Sequence, residues 1–217
     1  MKRLLPFLIF VGVFNLQIFA ADNYPRKIVM EEATGTWCGW CVRGIETLKR
    51  VSKDYPNNFI GIAIHNGDEM ASAENYYLSN VGTVKGYPGC FINRRTQETE
   101  SVGYYSAKAA VAELKDAADA KIEASAYYAD ASQTSVSVKT KTTFGFDNNA
   151  ANYKIAYVVL EDKVGPYDQR NYYSGEPYDE NDYMYEWTKL DPVVSIKFDD
   201  VARGIYPSVY GQNGSVP

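Results

Sequence analysis

The sequence holds only one histidine and three cysteines in 217 residues, and that scarcity sets its first limits. A structural zinc centre needs four Cys or His ligands, usually in two close pairs. Here only Cys38 and Cys41 are closely spaced, with Cys90 and His65 standing apart, so no metal is expected. An odd number of cysteines also argues against a disulfide-stapled scaffold, since at least one thiol must lie outside any intrachain pairing. Basic residues are outnumbered, 22 Lys and Arg against 27 Asp and Glu. That balance makes nucleic acid and anionic membrane surfaces poor partners. The chain has no internal repeat and no Gly/Ser linker. Beyond its N-terminus it has no apolar run long enough to span a bilayer.

The one long apolar stretch comes first. Lys2 and Arg3 precede a largely apolar run from Leu4 to Phe19, and Ala20-Ala21 supplies a small-residue cleavage site. Asn15-Leu16-Gln17 interrupts the run, so residues 1–20 read as a secretory signal peptide and not as a membrane span. No cysteine lies near the cleavage site to carry a lipid. The mature protein is therefore expected to be exported, in a compartment where disulfides form and persist.

Strand-like and helix-like patterns alternate from residue 21 to about 124. Lys27-Ile28-Val29-Met30 precedes the cysteine pair, and Val42 to Tyr55 follows as a helix. Phe59 to Ile64 reads as a buried, parallel-type strand. Asp68 to Asn80 reads as a polar helix with Met70, Tyr77 and Leu78 as its large apolar contacts, and Cys90 to Asn93 as a short strand. Ser106 to Ala124 reads as an Ala-rich helix. From residue 125 to 217 the texture changes. Ser135 to Thr140 alternates with period two, Tyr153 to Leu160 is rich in Val and Tyr, and Tyr167 to Glu186 reads as a long surface loop. The expected fold class is α/β, a central mixed sheet flanked by helices, followed by an antiparallel β-sandwich-like domain.

Thr36-Trp37-Cys38-Gly39-Trp40-Cys41 carries the chemistry. Two cysteines at this spacing close a small disulfide or present a dithiol, and the strand–motif–helix setting favours redox chemistry over half a zinc site. At a helix N-terminus the backbone amides and the macrodipole stabilise a thiolate, the form that attacks. Trp37 and Trp40 flank the sulfurs and are candidate substrate contacts. A bulky indole that excludes water opposes thiolate formation, which leans the expected direction towards a reductase.

The segment Trp37-Cys38-Gly39-Trp40-Cys41 resembles the active-site motif of thioredoxin-fold oxidoreductases. Gly35 to Cys38, Ile64-His65, Gly86-Tyr87-Pro88 and Phe91 to Arg94 together resemble, more narrowly, the twenty-eight-kilodalton outer-membrane-protein family of thioredoxin-like envelope proteins. The resemblance implies a periplasmic or outer-membrane-associated thiol–disulfide oxidoreductase acting on protein or peptide thiols and disulfides. It further implies a partner that resets its redox state and no dissociable cofactor. Members usually continue past this length, so the second domain is expected to be truncated at Pro217. The resemblance also places a cis-proline at Pro88, with the Tyr87 backbone pairing an extended substrate. It assigns Glu32, six residues before Cys38, as the buried acid that accepts the proton of Cys41.

Each of these has a plainer reading. Glu31 and Glu32 could be two solvated carboxylates at a strand end, pointing to opposite faces. Cys90 reads first as a buried thiol packed as a small hydrophobe, and more sharply as an alternative disulfide partner of Cys38. His65 could tune the thiolate, although a lone strand-end histidine is more often structural. The competing function is a non-catalytic envelope protein in which Cys38–Cys41 is a permanent structural disulfide.

Overall fold

The computed structural model describes residues 24–72, 84–94, 96–98, 103–112, 117–145 and 153–211. The expected signal peptide lies outside them, as do Tyr77 and Leu78 of the helix expected to follow Asp68. Among the described residues there are ten strands and three helices. In chain order these are β1 (Ile28–Thr34), α1 (Val42–Asp54), β2 (Phe59–His65), β3 (Gly89–Ile92), β4 (Thr96–Glu98), α2 (Tyr104–Ala112), β5 (Ala120–Tyr128), β6 (Val136–Phe144), β7 (Tyr157–Glu161), β8 (Val164–Arg170), α3 (Tyr185–Thr188), β9 (Val193–Phe198) and β10 (Val201–Tyr206).

A six-stranded mixed sheet in the order β4-β3-β1-β2-β10-β7 forms the centre. β1 and β2 run parallel in register from Ile28–Phe59 to Thr34–His65, and β3 lies antiparallel on the other side of β1. Both central strands are buried along most of their length, the pattern of strands covered on two faces. On one face, Ile28, Met30, Phe59, Ala63 and Cys90 pack against Leu48 and Val51 of α1 and Ala107 and Val111 of α2. On the other, Ala33, Ile62, Ile64 and Phe91 meet Ala202, Ile205 and Val209. α1 stops before Pro56 because the residue preceding a proline is driven out of helical geometry, and the Tyr55 N–H closes the last turn on the Val51 carbonyl.

The expected fold class is overturned. The described chain is mostly strand, and two late strands belong to the central sheet instead of a separate sandwich: β10 runs parallel to β2 through Val201–Ala63, and β7 pairs antiparallel with β10. The remaining late strands form two separate two-stranded pairs, β5–β6 and β8–β9. Without β10 the edge of β2 would present unpaired backbone groups next to a buried face. The helix expected to run to Ala124 gives way to β5, because the alternation from Lys121 to Tyr128 finds a nine-residue partner in β6 and that pairing outweighs alanine's helix propensity. The loop expected from Tyr167 to Glu186 begins as β8 and ends in α3, and its Tyr173 and Met184, with Trp187 just beyond it, are buried against Val42 of α1.

Candidate functional site

The C-terminal end of β1 delivers the chain into Gly35–Cys41, and Cys41 is the N-cap residue of α1. Cys38 and Cys41 form a disulfide with Cα atoms 5.3 Å apart. The first-turn amides are met by the motif itself: Arg43 N–H donates to the Trp40 carbonyl, and Gly44 and Ile45 N–H donate to the Cys41 carbonyl. The positive end of the helix dipole thus sits directly under the sulfurs. Cys41 is fully buried and Cys38 is 6% exposed.

Trp37 and Trp40, 42% and 48% exposed, stand on either side. The Trp37 indole N–H donates to the Asn66 carbonyl at 2.7 Å and its ring meets Tyr87 edge-on at 5.1 Å, while Asn66 donates from its side chain to the Tyr87 hydroxyl. Tyr87–Pro88 is a cis peptide bond. It enters β3 where Gly89 faces Ala33, which places it at the same end of the sheet as the cysteine loop. Trp37 and Tyr87 therefore meet, with Pro88 at the end of the sheet that carries the cysteine loop.

Both acids of β1 are buried, on opposite faces, so the reading of two solvated carboxylates does not hold. Glu31 is held by Arg94, whose Nε and Nη2 donate to it at 2.8–3.1 Å. Glu32 has no such cation bonded to it, and the Thr34 hydroxyl is the polar side chain that reaches it. It faces Cys90 across β3 and Ala63 across β2, beneath α1. Burial pushes its pKa up to about 8, offset only in part by the nearby Thr34 hydroxyl and Arg43 guanidinium. A Cβ on Gly44 would overlap the Glu32 carboxyl, so the glycine three residues after Cys41 is what admits that group under the helix. Gly44→Ala is expected to cost about 1–3 kcal/mol from overpacking, even though alanine favours helix by about 1 kcal/mol. In a Glu32→Ala background the same change should be neutral or stabilising. Urea unfolding of the four proteins measures this coupling, and an equal cost in both backgrounds would show that Gly44 does not serve Glu32.

His65 is buried and does not reach the cysteines through any bond described for it. Its Nδ1 lies 2.7 Å from Asp68 Oδ2, and its ring packs edge-on against Phe198. Asp68 accepts from the backbone N–H of Thr36 and of Met70. Burial acts to raise the Asp68 pKa, but these bonds and His65 outweigh it and hold the carboxylate below its ordinary value. His65 thus steadies Asp68, and Asp68 steadies the start of the cysteine motif. Cys90 is a buried thiol outside the disulfide.

The sequence reading missed the cover over this loop. Arg170 N–H donates to the Thr36 carbonyl, Tyr172 N–H to the Gly39 carbonyl, and the buried Gln169 carboxamide donates to the Cys38 carbonyl at 2.9 Å. Tyr172 packs so closely on Gly39 that a Cβ there would overlap its ring, and Trp40 meets Tyr172 and Tyr173 edge-on. Nothing periodic in the sequence marks residues 169–173 for this position. Among the described residues no group of three or more His, Cys, Asp or Glu is arranged to hold a metal, and no helix is long and apolar enough to cross a membrane.

No family model matches the sequence, and no curated protein matches it. Among solved structures, HBP35 of Porphyromonas gingivalis is similar, with a TM-score of 0.65 at 16% identity, over 89% of this chain and 61% of that one. The chain therefore spans less than two-thirds of that protein's structure. At this identity the likeness is one of fold alone. A structural-genomics target from Agrobacterium tumefaciens matches with a TM-score of 0.36 at 20% identity, over 48% of this chain and 53% of that one, too slight a likeness to support any reading.

Proposed function

We propose that the protein is a thiol–disulfide oxidoreductase acting on exported proteins or peptides, with Cys38 as the attacking thiolate and Cys41 as the resolving thiol. The observation that carries this reading is the buried carboxyl of Glu32 beneath the turn that holds Cys41, without an ion-pair partner bonded to it and with a pKa pushed up to about 8 by burial. A group in that state is matched to accept and return a thiol proton near neutral pH. In the reducing direction, Cys38 attacks one sulfur of a substrate disulfide and releases one substrate thiolate. Cys41 passes its proton to Glu32 and attacks Cys38, the mixed disulfide breaks, and the second substrate thiolate leaves. Two electrons have moved from the cysteine pair to the substrate, so no dissociable cofactor is required. A second thiol-bearing partner would restore the dithiol. Trp37, Trp40 and the backbone before Pro88 would seat the substrate segment, by the resemblance of these positions to thioredoxin-like enzymes. The N-terminal segment supports export to the periplasm or the outer membrane, within an envelope assembly.

One observation favours the alternative, a permanent disulfide in a non-catalytic envelope protein: the segment Gln169–Tyr172 lies over the cysteine loop and Cys38 is nearly buried. The reduction potential in glutathione buffers separates the two. A redox-active pair is expected between about −120 and −270 mV, whereas a value below about −300 mV marks a structural bond.

A further inference from the structure

The aromatic residues beside the cysteine loop do not end at Trp40. Its indole meets Tyr172 at 5.5 Å and Tyr173 at 5.4 Å, and Tyr173 meets Tyr178 at 5.3 Å. Tyr183, packed on the cluster that holds Tyr173, continues the run to Tyr104 and Tyr105 of α2. Tyr173 is buried, whereas Trp40, Tyr172, Tyr178 and Tyr105 are exposed. A run of rings thus starts next to the disulfide and crosses the late segment. Contiguous exposed rings mark an interaction surface, where singly scattered ones would not.

Charge selects the partner. From Tyr172 to Glu186 the sequence carries Glu176, Asp179, Glu180, Asp182 and Glu186, and no lysine or arginine. Asp179 and Asp182 accept local hydrogen bonds, and Glu186 is paired with Lys189. Glu176 and Glu180 are exposed and in no ion pair among the described residues. Arg43 acts on the hydroxyls of Tyr173 and Tyr183, opposing the rise in pKa that burial imposes on them. Rings and carboxylates together recognise cations, because an ammonium sits on the negative ring face while a carboxylate offsets its charge. The chain's own lysines do so on neighbouring rings. Lys189 Nζ lies 3.9 Å from the centre of the Tyr185 ring and 3.0 Å from Glu186 Oε1, and Lys108 Nζ lies 5.2 Å from the centre of the Tyr104 ring.

We propose that this surface docks a basic polypeptide substrate, an extended segment whose lysines or arginines lie on Tyr172 and Tyr178 beside Glu176 and Glu180 while its disulfide meets Cys38. The inference rests on the oxidoreductase reading and supplies its substrate class. An extended chain advances about 3.3 Å per residue, so the two ring-to-ring steps from Trp40 to Tyr178 span about three to four residues of substrate. A neutral glycan can use the rings but draws little from unpaired carboxylates, so the charge favours the polypeptide.

The test measures how fast three disulfides oxidise the reduced protein. Two are cystine peptides that differ only in carrying lysines or glutamates within about four residues of the cysteines; the third is a small uncharged disulfide, too short to span the surface. The lysine peptide should react about tenfold faster than the glutamate peptide at low salt. The ratio should fall to about twofold or less in about 1 M salt, where screening acts within about 3 Å. Glu176→Lys combined with Glu180→Lys should level or reverse the order of the peptides. Glu123→Lys combined with Glu161→Lys, an equal change of net charge at exposed sites in β5 and β7, should preserve it. Equal peptide rates in the wild type, a preference that survives the first double variant, or one lost equally in the second would overturn the docking face, and reduction of the small disulfide would leave the oxidoreductase reading standing. Equal peptide rates with inhibition by a soluble chitin oligosaccharide would assign the rings to glycan instead. If none of the three disulfides is reduced, the oxidoreductase reading falls and the substrate class with it.

Discussion

With its disulfide intact, the wild-type protein should lose on the order of 5 kcal/mol more stability than Glu32→Gln as pH rises from about 4.5 to about 8. The sign follows from proton counting. The carboxyl of Glu32 is raised from its ordinary 4.5 to about 8 by burial. Within that window the native protein holds a proton that the unfolded chain has released, so raising the pH favours the unfolded state. Below about 4.5 both states hold the proton, and above 8 neither does, so the loss is confined between. Asp200, raised to about 6 by burial and by Asp162 and Asp199, acts in the same sense over the lower part of the range. Asp68, with a lowered pKa, acts oppositely and only in acid. Comparing wild type with Glu32→Gln cancels both. Urea unfolding at intervals between pH 5 and 8.5 gives the two curves. Parallel curves would show that Glu32 is ionised in the native protein, and its role as a proton acceptor poised near neutrality would be lost.

Strand alternation separated Glu32 from Glu31, and the resemblance to thioredoxin-like proteins, which place an acid six residues before the first cysteine, singled it out. Local pattern served the rest of the motif. β1, α1 and β2 follow from apolar periodicity and from the cysteines that punctuate it, and β3 from the apolar residues after Pro88. That Glu31 is also buried was not legible, because its partner Arg94 lies 63 residues away and meets it only once β3 is paired. Gly44 left a faint trace. A glycine within an otherwise regular helix costs stability, so it asks for a packing reason, and the reason is the carboxyl beneath it.

The fold class failed for a related reason. Composition shifts near residue 125, and a change of texture reads naturally as a change of domain. Texture reports local preference, whereas strand partners are chosen by which edges remain open. β10 closes the parallel edge of β2 across more than a hundred residues, a pairing with no local signature. The cover at Gln169–Tyr172 is equally non-local, made by backbone groups and one carboxamide that any loop sequence could supply.

That cover decides how the cysteine variants should behave. Cys41→Ser is expected to reduce turnover at least on the order of 10³-fold, because the mixed disulfide on Cys38 has lost the resolving thiol three residues along the chain. Cys38→Ser should lose as much but leave no adduct, since Cys41 is fully buried and cannot meet substrate directly. The two variants differ in what mass spectrometry finds after exposure to a disulfide-bonded peptide: one adduct on Cys41→Ser, none on Cys38→Ser. Cys38 is itself only 6% exposed, beneath a loop tied down by Arg170, Tyr172 and Gln169. If Cys41→Ser forms its adduct readily, the cover is loose enough to admit substrate and the oxidoreductase reading holds. If it forms none until Tyr172→Ala is added, the late segment gates the sulfur. If no adduct forms in either case, the disulfide is sealed as a structural bond would be, and the non-catalytic reading prevails.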